Sequence, residues 1–144
     1  IILRKPPNRS PMAKTLTDLI AAARGQIQEI QPDDLADLLD NRADVLLIDV
    51  REPDEYSAGH IPGSELIPRG QLEGAADPGN KHRRPKLFNA RQQLVVLYCD
   101  TGARSALATH TLLEMGFVQP RNLAGGIELW AAEDLPLEAG GHGR

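Results

Sequence analysis

The chain has 144 residues, 41% of them apolar and only 3% aromatic, with a net charge of −4. That length suits one domain with an aliphatic core, and the mild acidity gives no footprint for nucleic acid or an anionic membrane surface. No apolar run approaches the roughly 20 residues of a membrane span. The lone cysteine, Cys99, excludes an intrachain disulfide, a Cys-x-x-Cys pair and a thiolate zinc site.

Residues 1–11, IILRKPPNRSP, are proline-rich without periodicity and read as a disordered leader or cloning remnant, apart from the fold. Residues 12–30 form an N-terminal helix and an edge segment. Leu16, Leu19, Ile20 and Ala23 share one face of a helix over Thr15–Gln26, and Ile27–Ile30 is expected as an edge strand. The main domain is expected over 31–136. It opens with a helix at Gln31-Pro32-Asp33-Asp34, where Pro suits the first turn and acids suit the positive helix end. Leu35, Leu38 and Leu39 are its buried stripe.

Val45–Val50 and Leu94–Tyr98 are continuous aliphatic runs, the mark of strands buried on both faces of a parallel sheet. A helix over Arg104–Met115 follows, with Gly116 placed as its left-handed C-terminal residue. Val118–Leu123 is a short strand interrupted by Pro120, and Gly125-Gly126 leads into a helix around Ile127–Ala132. Strands alternating with helices define an α/β fold: one domain, a mostly parallel central sheet, helices on both faces. Residues 137–144 are glycine-rich and expected to fray.

Between Pro68 and Gln93 the chain lacks periodicity and carries Lys81, Arg83, Arg84, Lys86 and Arg91, with no acid from Pro78 to Gln93. Such a cluster is a solvated loop in the simplest reading. A site-directed reading has it attract an anionic donor.

Cys99-Asp100-Thr101-Gly102-Ala103-Arg104-Ser105 sits where a buried strand gives way to a helix, the place where parallel α/β sheets collect ligands. Gly102 can take a positive φ, and successive N–H groups in such a turn form an anion-binding concavity. The helix start and Arg104 add positive potential. All three favour thiolate over thiol. A buried structural thiol is the plainer reading of an isolated cysteine, and the loop composition favours the reactive one.

LYCDTGARSA resembles the active-site loop of rhodanese-like sulfurtransferases. Asp49-Val50-Arg51 with Glu55-Tyr56 and Gly59-His60-Ile61-Pro62-Gly63 is similar to that family's first signature, and Gly125-Gly126 with Trp130 to its C-terminal one. The resemblance covers about residues 45–135. It implies a double displacement in which Cys99 takes a sulfane sulfur from a donor such as thiosulfate, holds it as a persulfide, and passes it to cyanide or a thiol. Cysteine phosphatases use Cys-x5-Arg, whereas here the spacing is Cys-x4-Arg. The tighter ring suits a single sulfur better than a tetrahedral oxyanion.

Supporting roles fall to Asp49, expected to buttress the cysteine loop by hydrogen bonds, and to Arg51, expected to pair with Glu55. His60 is a turn-ordering residue first and an acid or base second. Trp130 belongs in the core. Ser105 is read as a helix cap, with a bond to sulfur as the alternative. Asp100 departs from the basic or neutral residue common after the family's cysteine, and an acid facing the pocket would repel thiosulfate. No metal or cofactor is expected. The expected partners are a small sulfur donor and a thiol or cyanide acceptor, or a protein in either role. A lone thiol suits the cytoplasm. A sulfur-carrier or partner-binding module with little thiosulfate activity is the alternative function.

Overall fold

A computed structural model describes residues 13–141. The leader expected over 1–11, Met12 and the tail residues 142–144 lie outside the described residues.

The elements run α1 (Leu16–Arg24), β1 (Gln28–Ile30), α2 (Pro32–Asp40), β2 (Val45–Asp49), α3 (Pro53–Ala58), β3 (Glu65–Leu66), a 3-10 turn (Arg69–Gln71), α4 (Leu72–Ala76), α5 (Pro85–Phe88), β4 (Leu94–Tyr98), α6 (Ala103–Glu114), β5 (Gln119–Leu123) and α7 (Gly126–Ala132). The five strands form one sheet in the order β1-β5-β4-β2-β3, and every pairing is parallel. The edge strand expected near Ile27–Ile30 is β1.

Alternating side chains of β2 and β4 feed two cores, which is why those strands read as unbroken aliphatic runs. Ile48, Val95, Leu97 and Cys99 face Leu72 of α4, Leu87 of α5 and Leu112 of α6. Leu47, Val96 and Tyr98 face Leu35 of α2 and Ile127 and Trp130 of α7. Helices therefore cover both faces. Cys99 lies one residue past the carboxyl end of central β4, between β2 and β5.

Several expectations change. Pro120 does not interrupt its strand: it pairs opposite Val95 at a position before β1 begins to pair at Arg121, so one edge there is still open. The stripe on α1 is mostly outside, with Leu16 65% and Leu19 48% exposed and Ala23 alone buried. That helix packs on α6, and among the described residues Leu16 and Leu19 are left exposed.

The 68–93 segment is not a solvated loop throughout. Its short helices bury Leu72, Ala75, Ala76 and Leu87, and Ala90 in the turn after α5 is buried as well. Arg91 donates to the carbonyls of Met115, Phe88 and Ala76 and lies 4.9 Å over the Phe117 ring. Arg84 and Lys86 pair with Glu65, while Lys81 and Arg83 are exposed and have no carboxylate partner among the described residues.

Residues 138–141 make hydrogen bonds back to the domain. Glu138 and His60 exchange backbone hydrogen bonds at 2.8 and 2.9 Å, and Ser57 holds Gly140 and Gly141. Among the described residues no helix is long and apolar enough to cross a membrane.

Candidate active site

Three hydrogen-bond donors converge on Cys99 Sγ: the N–H of Gly102 at 3.2 Å, the hydroxyl of Ser105 at 3.3 Å and the N–H of Ser105 at 3.4 Å. They come from a loop four residues long and the first turn of α6. Gly102 makes the geometry possible, because its φ of +103° turns its N–H back toward the sulfur. First-turn N–H groups have no carbonyl to bond within their own helix, so the end of α6 is electropositive where the sulfur lies. Ser105 is therefore not a cap; its side chain serves Sγ. Cys99 is buried, 1% exposed.

A second helix terminus sets the loop's other side. The N–H groups of Ile127 and Glu128, opening α7, donate to the carbonyls of Cys99 and Asp100 at 2.9 and 3.1 Å. These bonds draw the loop carbonyls away from the sulfur. The approach is so close that a Cβ on Gly126 would stand 2.4 Å from Asp100 O, and its φ is +61°. The glycine pair was visible as a motif; its contact with the cysteine loop was not.

Asp49, Arg51, Asp100, Arg104 and Glu55 form a chain of ion pairs beside the loop. Fully buried Asp49 binds Arg51 through Nε and Nη2, the latter at 2.7 Å, and also accepts the N–H of Arg51. Arg51 donates further to Gly59 O at 2.7 Å and reaches Asp100 at 3.5 Å. Burial works against the Arg51 charge, but the Asp49 bonds and charge outweigh it and hold the guanidinium protonated. Asp49 thus supports the loop through Arg51, not by bonds of its own to it.

The expected Arg51–Glu55 pair is not formed. Glu55 binds Arg104, whose Nη1 and Nη2 donate to its two oxygens at 3.0 and 3.1 Å, while Nη2 also reaches Asp100 at 3.0 Å. The Arg104 bonds hold the Glu55 carboxyl down at about 2, and Glu55 in turn raises Arg104. Asp100 is bound on its flank by two arginines. Thr101 is exposed, Ala103 half-buried, and neither side chain is engaged by the sulfur.

His60 stands apart from this chain. Nδ1 contacts Tyr56 O at 2.8 Å, Nε2 contacts Glu138 at 3.1 Å, and the ring stacks on Tyr56 at 3.7 Å. Those contacts order the turn, the first of its two expected roles. Trp130 is buried and donates to Pro136 O at 2.7 Å. A cavity of about 300 Å³ beside Trp130, Leu39 and Ile61 shares no residue with the cysteine loop.

Comparison with known proteins shows the family. The pattern of the rhodanese-like domain matches residues 31–133. The chain belongs to the rhodanese-like family. A sulfurtransferase of Allochromatium vinosum is 35% identical over 113 residues, 78% of this chain and 96% of that one. The probable adenylyltransferase/sulfurtransferase MoeZ of Mycobacterium tuberculosis is 38% identical over 122 residues. That match takes in 83% of this chain, which spans only 28% of the length of MoeZ. Among solved structures, a Rhodopseudomonas palustris protein described as a possible tyrosine phosphatase superposes with a TM-score of 0.81 at 30% identity, over 88% of this chain and 96% of that one.

The rhodanese-like domain here brings Cys99, Gly102, Arg104 and Ser105 together as the loop motif suggested, and joins Asp49 and Arg51 to them through Asp100. Asn122, from β5, was missed. Its Nδ2 donates to Gly102 O at 3.1 Å and to Glu29 at 2.9 Å. A lone Asn in a strand carries no signal in sequence.

Proposed function

We propose that this rhodanese-like protein is a sulfurtransferase that carries sulfane sulfur on Cys99. The observation that carries the reading is the convergence of three donors on one sulfur, in a loop whose Cys-x4-Arg spacing is one residue shorter than that of cysteine phosphatases. The Cys99 thiolate attacks the outer sulfur of a donor such as thiosulfate. The new S–S bond forms as the old one breaks, and sulfite leaves with the electron pair. Cyanide or a thiolate then attacks the outer persulfide sulfur, and Cys99 departs as thiolate. Gly102 and Ser105 hold the anionic sulfur before and after each transfer.

Arg104 and Arg51 position Asp100, and Glu55 and Asp49 fix the arginines. His60 keeps the turn beside the loop in place, without touching sulfur. A cytoplasmic setting suits the lone reduced thiol.

The ion-pair chain favours a second reading of the same chemistry. Three carboxylates surround two guanidiniums, so the loop presents little free positive charge to a dianion such as thiosulfate. On that reading the sulfur arrives from, or leaves to, another protein. Thiocyanate release from thiosulfate and cyanide tests both. Turnover that disappears in Cys99→Ser supports the small-molecule donor, whereas a single loading without turnover supports the carrier. Phosphate release from an aryl phosphate ester, lost with the same substitution, would count against sulfur transfer altogether.

A further inference from the structure

The cysteine loop has a polar support behind it that the sulfur chemistry does not use. Asn122, at the carboxyl end of β5, is completely buried. Both hydrogens of its amide are committed, one to Gly102 O at 3.1 Å and one to Glu29 Oε2 at 2.9 Å. Among the described residues its Oδ1 is buried and accepts no hydrogen bond. Turning the amide over would face Oδ1 against two oxygens, so Glu29 fixes which way it points. Retaining an orphaned carbonyl for this orientation is a cost that buried polar groups rarely bear without a role.

Gly102 O also accepts the N–H of Ala106 at 3.1 Å, as α6 begins. Its carbonyl is thus pinned from the helix on one side and from β5 on the other. Fixing that carbonyl fixes the rotation of Gly102, and Gly102 is the residue whose N–H meets Sγ at 3.2 Å. Glu29 belongs to β1, and Arg24 at the end of α1 closes in as well, its Nη2 lying 3.4 Å from where a Cβ on Gly102 would stand. Both residues precede the stretch 31–133 matched by the family pattern.

We propose that Asn122 is a positioning residue for the cysteine loop, oriented by Glu29, so that the segment before the family domain sets the reactivity of Cys99. The proposal rests on Cys99 being the reactive thiol. It acts through Gly102, and no atom of Asn122 is bonded to the sulfur.

The test is the rate of Cys99 alkylation by iodoacetamide followed against pH in the full chain, with thermal melting alongside. Asn122→Ala and Asn122→Asp remove the donor to Gly102 O. Folded variants should react more slowly at neutral pH, on the order of tenfold, the scale on which supporting partners of a site act. Their rate profiles should move to higher pH. Glu29 is exposed, so Glu29→Ala keeps the test open if the Asn122 variants fail to fold. It should move the profile in the same direction by less, and Glu29→Gln, which still offers an acceptor, should restore the wild-type profile. A merely structural Asn122 would lower the melting temperature and leave the profile in place. Profiles of Glu29→Ala and of any folded Asn122 variant that superimpose on wild type overturn the proposal. Because alkylation needs no sulfur donor, a wild type that takes up no sulfur would defeat the sulfurtransferase reading without deciding this one.

Discussion

Glu55 on α3 holds both Nη atoms of Arg104 on α6, at 3.0 and 3.1 Å, across 49 residues of sequence. The pair links the first family signature to the cysteine loop, and it makes an acid-dependent prediction. Glu55 is depressed from an ordinary 4.5 to about 2, chiefly by its bonds to Arg104. A carboxylate depressed in the folded state contributes stability that is complete above its unfolded value and is lost as pH falls through the folded one. Wild type should therefore lose stability between about pH 4.5 and pH 2 that Glu55→Gln does not lose. Melting temperatures measured across that window check this, and parallel curves for the two proteins would contradict it.

The Asp49–Arg51 pair should behave as a buried pair does when one partner goes. Arg51→Met leaves Asp49 buried without its counter-charge and Gly59 O without its donor, at a cost of about 3–5 kcal/mol. Urea unfolding should show that loss, and the double variant Asp49→Leu with Arg51→Met should recover part of it. If the double variant is as unstable as the sum of both single changes, the two charges act independently and the pairing account is wrong.

Ser105→Ala removes the hydroxyl donor to Sγ and keeps the backbone one. A hydrogen bond to a charged group is worth about 1.5–3 kcal/mol, so sulfur loading should slow by roughly tenfold or more. The second-order rate of persulfide formation reads this directly. Stability should change little, because the variant leaves the backbone N–H in place.

Gly126→Ala should be harsher than an ordinary surface change. Its φ of +61° disfavours a side chain, and the new methyl carbon would meet Asp100 O at 2.4 Å. The left-handed conformation alone costs about 1–2 kcal/mol, and the contact must in addition push α7 off the cysteine loop. Thermal unfolding should fall and Cys99 alkylation should slow together. A variant as stable and as reactive as wild type would mean that α7 does not brace the loop.

Much of the architecture was written in local patterns. The two aliphatic runs gave the central strands, Gly116 ended α6 with a φ of +92°, and the four-residue spacing from Cys99 to Arg104 placed the loop. What escaped was set by the tertiary fold. Arg51 and Glu55 are neighbours in sequence, yet the bend after β2 brings Arg51 back onto Asp49 while Glu55 on α3 meets Arg104 of α6. Ser105 stands where caps occur, but the tight loop brings Sγ within its reach. The pieces of the 68–93 segment are too short to show a helical stripe, and the clasp between His60 and Glu138 joins residues 78 apart. Asn122 gives no local signal, since its role exists only once β1, β5 and the loop are assembled.

The central claim is that Cys99 carries the sulfur. Intact-mass measurement after incubation with thiosulfate, and in parallel with a polysulfide, tests it most directly. Wild type should gain the mass of one sulfur atom, lose it on addition of a reductant, and Cys99→Ser should gain nothing from either donor. No gain on wild type from either donor, or an equal gain on Cys99→Ser, would contradict it.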